Sequence, residues 1–249
     1  MADPYRYDGL TADEIAGLLD LPGVQLLEVT PSTLDVAHRL GNEGAPAGTV
    51  VIADQQLAGR GRSGSQWHSP AGTGLWITLL ERPADTSGLE VLSLRTGLRL
   101  ARALDIFTPE PVRLKWPNDL YVDERKLGGI LIEARWRERK LEWVAIGVGV
   151  NVAVPDDMPS AGALDSGTSR VEVLTDIVPA MRDAAAATGI LRDIELVEWD
   201  ARDLARGRHC SAPASGIVDG ITAAGELRVA LADSVARFRS GSLILDHLR

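Results

Sequence analysis

Two glycine-bearing segments of this chain gather cations in a pattern that suits anionic oxygens. Residues 55–70, QQLAGRGRSGSQWHSP, place Arg60 and Arg62 between Gly59, Gly61 and Gly64, with Trp67 just beyond. Guanidinium groups make paired, charge-assisted hydrogen bonds to carboxylate and phosphate, and glycine lets backbone N–H groups approach the same ligand. Residues 115–129, KWPNDLYVDERKLGG, carry Lys115, Asn118, Asp119 and Lys126 ahead of Gly128 and Gly129. Pro117 removes a ladder donor, so Asn118 and Asp119 are expected at a strand break. Asp119 and Lys126 on neighbouring strands can pair, which would fix the ammonium, and Gly129 leaves room for a ligand. Either segment alone also fits a solvated loop or turn. Together with the cap-competent Ser32-Thr33 and the strand GVGVN (147–151), they point to a pocket for two anions, a phosphate chain and a carboxylate. Reaction between two anions requires their repulsion to be neutralised, which positioned Arg and Lys side chains do.

Gly59, Gly61 and Gly64 also match the glycine spacing of a dinucleotide-binding loop. That motif needs a strand feeding directly into the turn and a helix opening from it. Here Gln55 to Gly59 intervene after the strand, and SQWHSPAGTG beyond Gly64 has no helical periodicity. The dinucleotide reading is set aside.

The elements that must carry these groups are legible from periodicity. TADEIAGLLD (11–20) predicts a short helix capped by Thr11 with Glu14 three residues on. VQLLEVT (24–30) predicts a strand, PSTLDVAHRL (31–40) a helix stopping at Gly41, GTVVIAD (48–54) a buried strand, 55–74 a long loop, and GLWITLLE (74–81) another strand. Leucines among arginines over 90–107 predict a helix with a solvated arginine face. Residues 112–136 predict strand, loop, strand, turn, strand, and LEWVAIGVGVNVAV (141–154) a further strand. Helices are expected near 168–188 and 191–206. The last forty residues read as a small β module, with Leu227, Val229 and Leu231 on one face of ELRVAL.

Composition excludes several classes. With 45% hydrophobic residues the 249-residue chain can bury a core, and a formal net charge of −9 disfavours nucleic acid as its main partner. The single cysteine, Cys210, rules out an intramolecular disulfide or a cysteine metal cluster and is expected to be a small buried side chain. His38, His68, His209 and His247 lack metal-ligand spacing, and His68 is expected to be a solvated loop residue. No stretch approaches the roughly 18 apolar residues of a membrane span, and the polar start carries no signal-peptide pattern. A cytoplasmic protein with no membrane partner is expected.

These segments carry a family resemblance. GRGRSGSQWHSP resembles the GRGRxGRxW-x-SP loop of the biotin protein ligases, KWPNDLYVDERKLGGILIE their KWPND…KLxGIL segment, GVGVNV their GxGxN strand and TPSTLDVA their early ST-N motif. The resemblance runs from about residue 28 to the end. It implies an α+β fold: a mixed-sheet catalytic domain of the biotinyl/lipoyl ligase kind, similar to class II aminoacyl-tRNA synthetases, over 1–206, and a small, shortened SH3-like β domain over 207–249. It further implies that Ser32, Thr33 and Gln56 contact the fused rings of biotin. Gly59, Arg60, Gly61 and Arg62 would lie on a loop that closes over biotin and its adenylate and excludes water, a loop suited to disorder without ligand. Lys126, beside Gly129, would meet the biotin carboxylate. Trp67 and Asn151 would serve the adenine, and Lys115, Asn118 and Asp119 the rest of the nucleotide. Lys126, Arg62 and Asp119 would carry the chemistry, Asp119 orienting Lys126 or a water on Mg2+.

The implied reaction has two steps. The biotin carboxylate attacks the α-phosphorus of MgATP, giving biotinyl-5′-AMP and pyrophosphate. The ε-amine of a lysine on a biotin carboxyl carrier domain, of acetyl-CoA or a related carboxylase, then attacks the mixed anhydride and expels AMP. With one short helix ahead of Ser32, the form without a DNA-binding domain is expected, and a homodimer through sheet edges is compatible. Three departures stand out. Ser63 and Ser65 replace residues that are often basic in the family loop, Leu34 stands where asparagine commonly follows Ser-Thr, and 208–217 reads as a segment trimmed of a strand pair. The alternatives are a lipoate ligase or octanoyl transferase of the same fold, and a biotin-binding protein without turnover.

Overall fold

The computed structural model describes residues 5–246, so His247 lies outside the described residues. The first helix, α1 (Ala12–Leu18), opens with the expected reciprocal cap: Glu14 N–H donates to the Thr11 hydroxyl, and Thr11 N–H donates to the Glu14 carboxylate. It packs against β1 (Val24–Thr30). Helix α2 (Thr33–Asn42) leads to β2 (Thr49–Gln56), and after the glycine loop comes β3 (Gly74–Glu81). Helix α3 (Leu92–Leu104) precedes β4 (Arg113–Lys115), β5 (Asp119–Val122), β6 (Arg125–Arg137) and β7 (Lys140–Asn151). Helices α4 (Arg170–Ala186) and α5 (Asp193–Arg202) close this part of the chain.

Seven strands form one mixed sheet in the order β1-β2-β3-β7-β6-β5-β4, with β1 parallel to β2 and the other pairs antiparallel. Alternation splits its side chains between two faces. Val50 and Ile52, with Val144, Ile146 and Val148, join the leucines of α3 and the apolar face of α4 in the main core. Val51 and Ala145 point the other way and meet Leu34 and Ala37 of α2. This second face is only partly covered by α2. Beyond it, the sheet carries the cavity described below.

Helix α2 does not stop at Gly41. That glycine sits inside the helix because a Cβ there would lie 2.7 Å from Trp143 Cε2, and its carbonyl accepts from Arg82 at 3.0 Å. The glycine that looked like a terminator marks a close helix–indole contact instead. The arginines of α3 are only in part a solvated face: Arg102 is exposed, but Arg95 is 1% exposed and donates to Glu195 of α5 at 2.9 Å. Strand β7 ends at Asn151, three residues earlier than its apolar run suggests.

After α5 come β8 (His209–Ala212), β9 (Gly216–Ile221), β10 (Leu227–Ala230), β11 (Val235–Phe238) and β12 (Ile244–Leu245), a sheet of order β11-β10-β9-β8-β12. Leu227 and Val229 are buried, as alternation predicts, and so is Cys210. Residues 208–217, expected to be trimmed, form a short strand pair of their own. His209 and Cys210 pair with Ile217 and Gly216 across a tight hairpin, whose short strands leave little periodic signal in the sequence.

Candidate active site

The open sheet face is built from one row of pairings. Asp119 lies opposite Gly129, Gly129 opposite Gly149, and Gly149 opposite Trp76. Trp67, from the glycine loop, lies on the floor those two glycines leave. A Cβ at Gly149 would sit 2.5 Å from Trp67 Nε1, and one at Gly129 would sit 3.4 Å from Cζ3. Trp76 meets the same indole edge-on, with ring centroids 6.5 Å apart. Gly149→Ala is therefore expected to destabilise the protein by about 1–3 kcal/mol through overpacking. A lower urea midpoint with unchanged slope checks this; an unshifted midpoint would mean that Trp67 moves freely.

Lys126 reaches this face through an irregularity. Three residues before Gly129, it would point to the opposite face of a regular strand. Between Leu120 and Tyr121 the β5–β6 register slips by one residue, so Tyr121 faces Lys126 rather than Leu127. The bulge re-aims Lys126 toward Asp119, and Nζ meets Oδ1 at 2.7 Å, as expected of the pair. The ammonium also lies 5.2 Å from the Trp67 ring centroid, a cation–π distance. Lys115 follows on β4; burial pulls its pKa down, Asp119 opposes this and Lys126 adds to it. Burial likewise lowers the Arg62 guanidinium against the pull of Asp119.

The other side of the cavity is the start of α2. Ser32 is its N-cap, but the hydroxyl makes no capping bond, contrary to the expected Ser32-Thr33 cap. Gln56 does that work: its Oε1 accepts from Thr33 N–H at 2.9 Å and from Thr33 Oγ1 at 3.1 Å, while Nε2 donates to Ser69 at 2.9 Å. Thr78 donates to the Thr33 hydroxyl at 2.8 Å. Among the described residues Ser32 Oγ is buried with no hydrogen-bond partner, as are Trp67 Nε1 and Arg60 Nε. A buried, unpaired hydroxyl is costly, and one in a cavity wall is a natural ligand contact.

Together these groups line a cavity of about 890 Å3. Its wall includes Ser32, Thr33, Gln56, Arg60, Gly61, Arg62, Trp67, Lys115, Asn118, Asp119, Lys126, Gly129 and Asn151, with Leu34 and Leu131 as apolar surface. Gly59 stands just behind it, where a Cβ would lie 2.5 Å from the Trp67 carbonyl oxygen. Two residues have structural duties that the sequence did not reveal. Asn118 donates to the Ile130 carbonyl at 2.8 Å, and Asn151 donates to the Gly162 carbonyl at 3.0 Å, tying the loop after β7 to the sheet. Arg60 does not point free guanidinium groups into the site; it pairs with Asp35 and Glu133. His68 is a loop residue, but it contacts Asp157 at 3.1 Å rather than solvent alone.

Sequence reasoning missed Ser242 and Leu243, which the turn before β12 brings to the cavity wall, and the Gly241 carbonyl, which accepts from Arg62 at 3.1 Å. Their polar, glycine-bearing stretch reads as an ordinary turn. Met158 and Ala161 also reach the wall from the loop after β7. Among the described residues no group of three or more His, Cys, Asp or Glu side chains could hold a metal, and no helix is long and apolar enough to cross a membrane.

An open mixed-sheet face thus lies under a glycine-arginine loop, with a lysine–aspartate pair on β5 and β6. The profile of the Biotin/lipoate A/B protein ligase family matches residues 26–151, about half of the chain, and the chain belongs to that family. It is 38% identical over 134 residues to the bifunctional ligase/repressor BirA of Bacillus subtilis (strain 168), a match covering 53% of this chain and 41% of that protein. To the biotin--[acetyl-CoA-carboxylase] ligase of Paracoccus denitrificans it is 35% identical over 146 residues, covering 58% and 59%. The chain thus spans less than two thirds of either relative's length. In fold it is similar to the biotin protein ligase from Aquifex aeolicus in complex with biotin and ATP, with a TM-score of 0.72 at 24% identity over 89% of this chain and 97% of that one.

Proposed function

We propose that the chain is an ATP-dependent biotin protein ligase. It forms biotinyl-5′-AMP from biotin and ATP and passes biotin to a lysine of a biotin carboxyl carrier domain of acetyl-CoA or a related carboxylase. The observation that carries this reading is the division of labour within one cavity. Ser32 and Thr33 supply hydroxyls at one side, next to apolar Leu34; Lys126, Arg62 and Lys115 gather around one carboxylate at the other. Thr78, which holds Thr33, and Lys126 stand on strands two places apart, roughly 10 Å across the sheet and on the order of 16 Å along it, since Leu131 rather than Lys126 is level with Thr78. That suits a small ring with polar edges carrying an acid on an apolar arm. The relatives' names and the biotin and ATP in the Aquifex complex favour the same substrates.

In this reading Ser32 Oγ meets the ureido ring. Lys126 and Arg62 draw the biotin carboxylate and the α-phosphate together and offset their repulsion. A carboxylate oxygen forms the new bond to phosphorus as the bond to pyrophosphate breaks. Trp67, lying on the two glycines, offers a flat surface on the nucleotide side. In the second step the carrier amine attacks the acyl carbon, the anhydride C–O bond breaks and AMP leaves with that oxygen.

Mg2+ enters with ATP. Asp119 is the acidic residue in the cavity wall, and it is already paired with Lys126. Such a donor set fits a metal held mainly by phosphate oxygens and water, with Asp119 reaching it through a water. Bound there, the ion would neutralise phosphate charge.

Calorimetric titration with biotin, lipoate and octanoate tests the substrate. Biotin alone should give saturable binding; preference for lipoate or octanoate would transfer the chain to the other branch of the family. Ser65 holds its own loop turn by donating to the Arg62 carbonyl at 2.8 Å. Ser65→Arg adds one exposed cation there and is expected to slow biotinyl-AMP release by up to about fivefold. An unchanged release rate in a chase experiment would show the serine to be neutral.

A further inference from the structure

Arg170 stands where a helix least favours a cation. It is the first residue of α4, directly after the Ser169 cap, and a positive charge there opposes the helix dipole. Two carboxylates hold it instead. Nη1 pairs with Asp54 near the end of β2, and Nε donates to Asp8, ahead of α1, at 3.0 Å. The guanidinium also lies 4.0 Å from the Tyr7 ring centroid, and the Tyr7 hydroxyl donates to the Gly74 carbonyl at 3.3 Å. Tyr7 is fully buried, and the side chains of Arg170 and Asp54 are 12% and 17% exposed. Burial alone would lower the Arg170 pKa; its bonds to Asp8 and Asp54 outweigh this and raise it.

These groups meet at a break in the β2–β3 ladder. Ala53 faces Trp76, so a regular hairpin would set Gln56 opposite Thr73. Gln56 instead faces Ser69, and Pro70, Ala71, Gly72 and Thr73 stand out of the ladder. Asp54 reaches across this excursion: its Oδ1, held by Arg170, accepts from Gly72 N–H at 3.1 Å, 18 residues on. Gly72 has φ +74°, a conformation that side chains disfavour. The Thr73 carbonyl accepts from Val152 and Ala153, each at 2.9 Å, directly after Asn151 in the cavity wall. We infer that Asp54 and Arg170 are positioning residues that clamp the two ends of the glycine loop at its hinge. The clamp sits where the strands stop, so it acts whether the loop beyond it is open or closed. Fixing both ends lowers the conformational entropy that the loop loses when it orders over a ligand. Its effect on turnover rests on the ligase reading; the clamp itself does not.

Hydrogen exchange over residues 70–74, read by mass spectrometry, reports on the clamp, with residues 227–230 of β10 as the internal control. Arg170→Gln removes the charge and the fork; exchange over 70–74 should rise about fivefold, the factor of one hydrogen bond, with the control unchanged. Arg170→Lys keeps the charge but loses the fork, and should fall between wild type and Arg170→Gln. Under the ligase reading, Arg170→Gln also raises the biotin KM and the rate of biotinyl-AMP release by about fivefold while kcat for adenylation is retained. A variant that is merely unstable would instead lose kcat through inactive enzyme and keep the wild-type KM and release rate. Wild-type exchange over 70–74 in both variants, or a rise matched over 227–230 in both, would overturn the clamp. Raised exchange with wild-type KM and release rate, in a chain that makes adenylate, would overturn the positioning role. A wild-type chain protected over 70–74 that makes no adenylate would overturn the ligase reading and leave the clamp standing.

Discussion

Lys126→Ala is expected to lower the rate of biotinyl-AMP formation by about 10²–10³-fold, the usual cost of removing one positioned charge donor. Lys126 is the cation that the β6 bulge aims into the cavity, and it is held there by Asp119 at 2.7 Å and by the Trp67 face. Lys115 and Arg62 are nearby, but Arg62 is committed to the Gly241 carbonyl at 3.1 Å and the Lys115 ammonium stands 5.8 Å from the Tyr121 ring centroid. They should not substitute fully. The fold should survive, since Lys126 is 40% exposed at its side chain. Stopped-flow release of pyrophosphate, with circular dichroism as the check on folding, gives the answer. Near-normal rates in a folded variant would remove Lys126 from the chemistry.

Arg95→Met is expected to cost about 3–5 kcal/mol of stability, the usual effect of stripping one partner from a buried pair. Arg95 and Glu195 are each 1% exposed, and Arg95 also donates to the Ile190 carbonyl at 3.0 Å. The double change Arg95→Met with Glu195→Met should recover part of the loss: the buried pair is gone and Arg99 keeps Asp183, while the Arg192 N–H loses its acceptor. Urea denaturation of both variants checks this, and a double variant no more stable than the single one would contradict it. The same pair predicts a pH dependence. Burial alone would raise the Glu195 pKa, but the hydrogen bond from Arg95 and that from the Arg192 backbone bring it down to about 2 from 4.5. A depressed carboxylate stabilises the folded state fully above the unfolded value of 4.5. Roughly 3 kcal/mol is then lost as pH falls from there through about 2, and Glu195→Gln should flatten that part of the acid-denaturation curve.

The chemistry-bearing stretches were legible because their partners are close in sequence. Asp119 and Lys126 sit on one hairpin, and the strand limits of Gly74–Glu81 follow from an apolar run between a glycine and a glutamate. The long-range contacts were hidden. Arg95 among leucines reads as a solvated helix face, since nothing local announces a carboxylate 100 residues away. Arg60 reads as an anion ligand for the same reason: its carboxylates come from α2 and β6. Gln56 looked like a ring contact, yet the uncapped start of α2 claims its oxygen. The bulge at Leu127 could not be read at all, because a one-residue slip in register leaves composition and alternation almost unchanged. Glycine was the most ambiguous signal. Gly41 looked like a helix stop and proved to be a seat for Trp143, while Gly149 is the floor under Trp67.

The most direct measurement is mass spectrometry of the purified chain incubated with MgATP and biotin, with lipoate and octanoate in parallel tubes. A mass for biotinyl-5′-AMP, with pyrophosphate released in the biotin tube alone, is the predicted result and would confirm carboxylate activation and substrate together. Biotin bound without adenylate or pyrophosphate would contradict it and make this cavity a binding site without turnover.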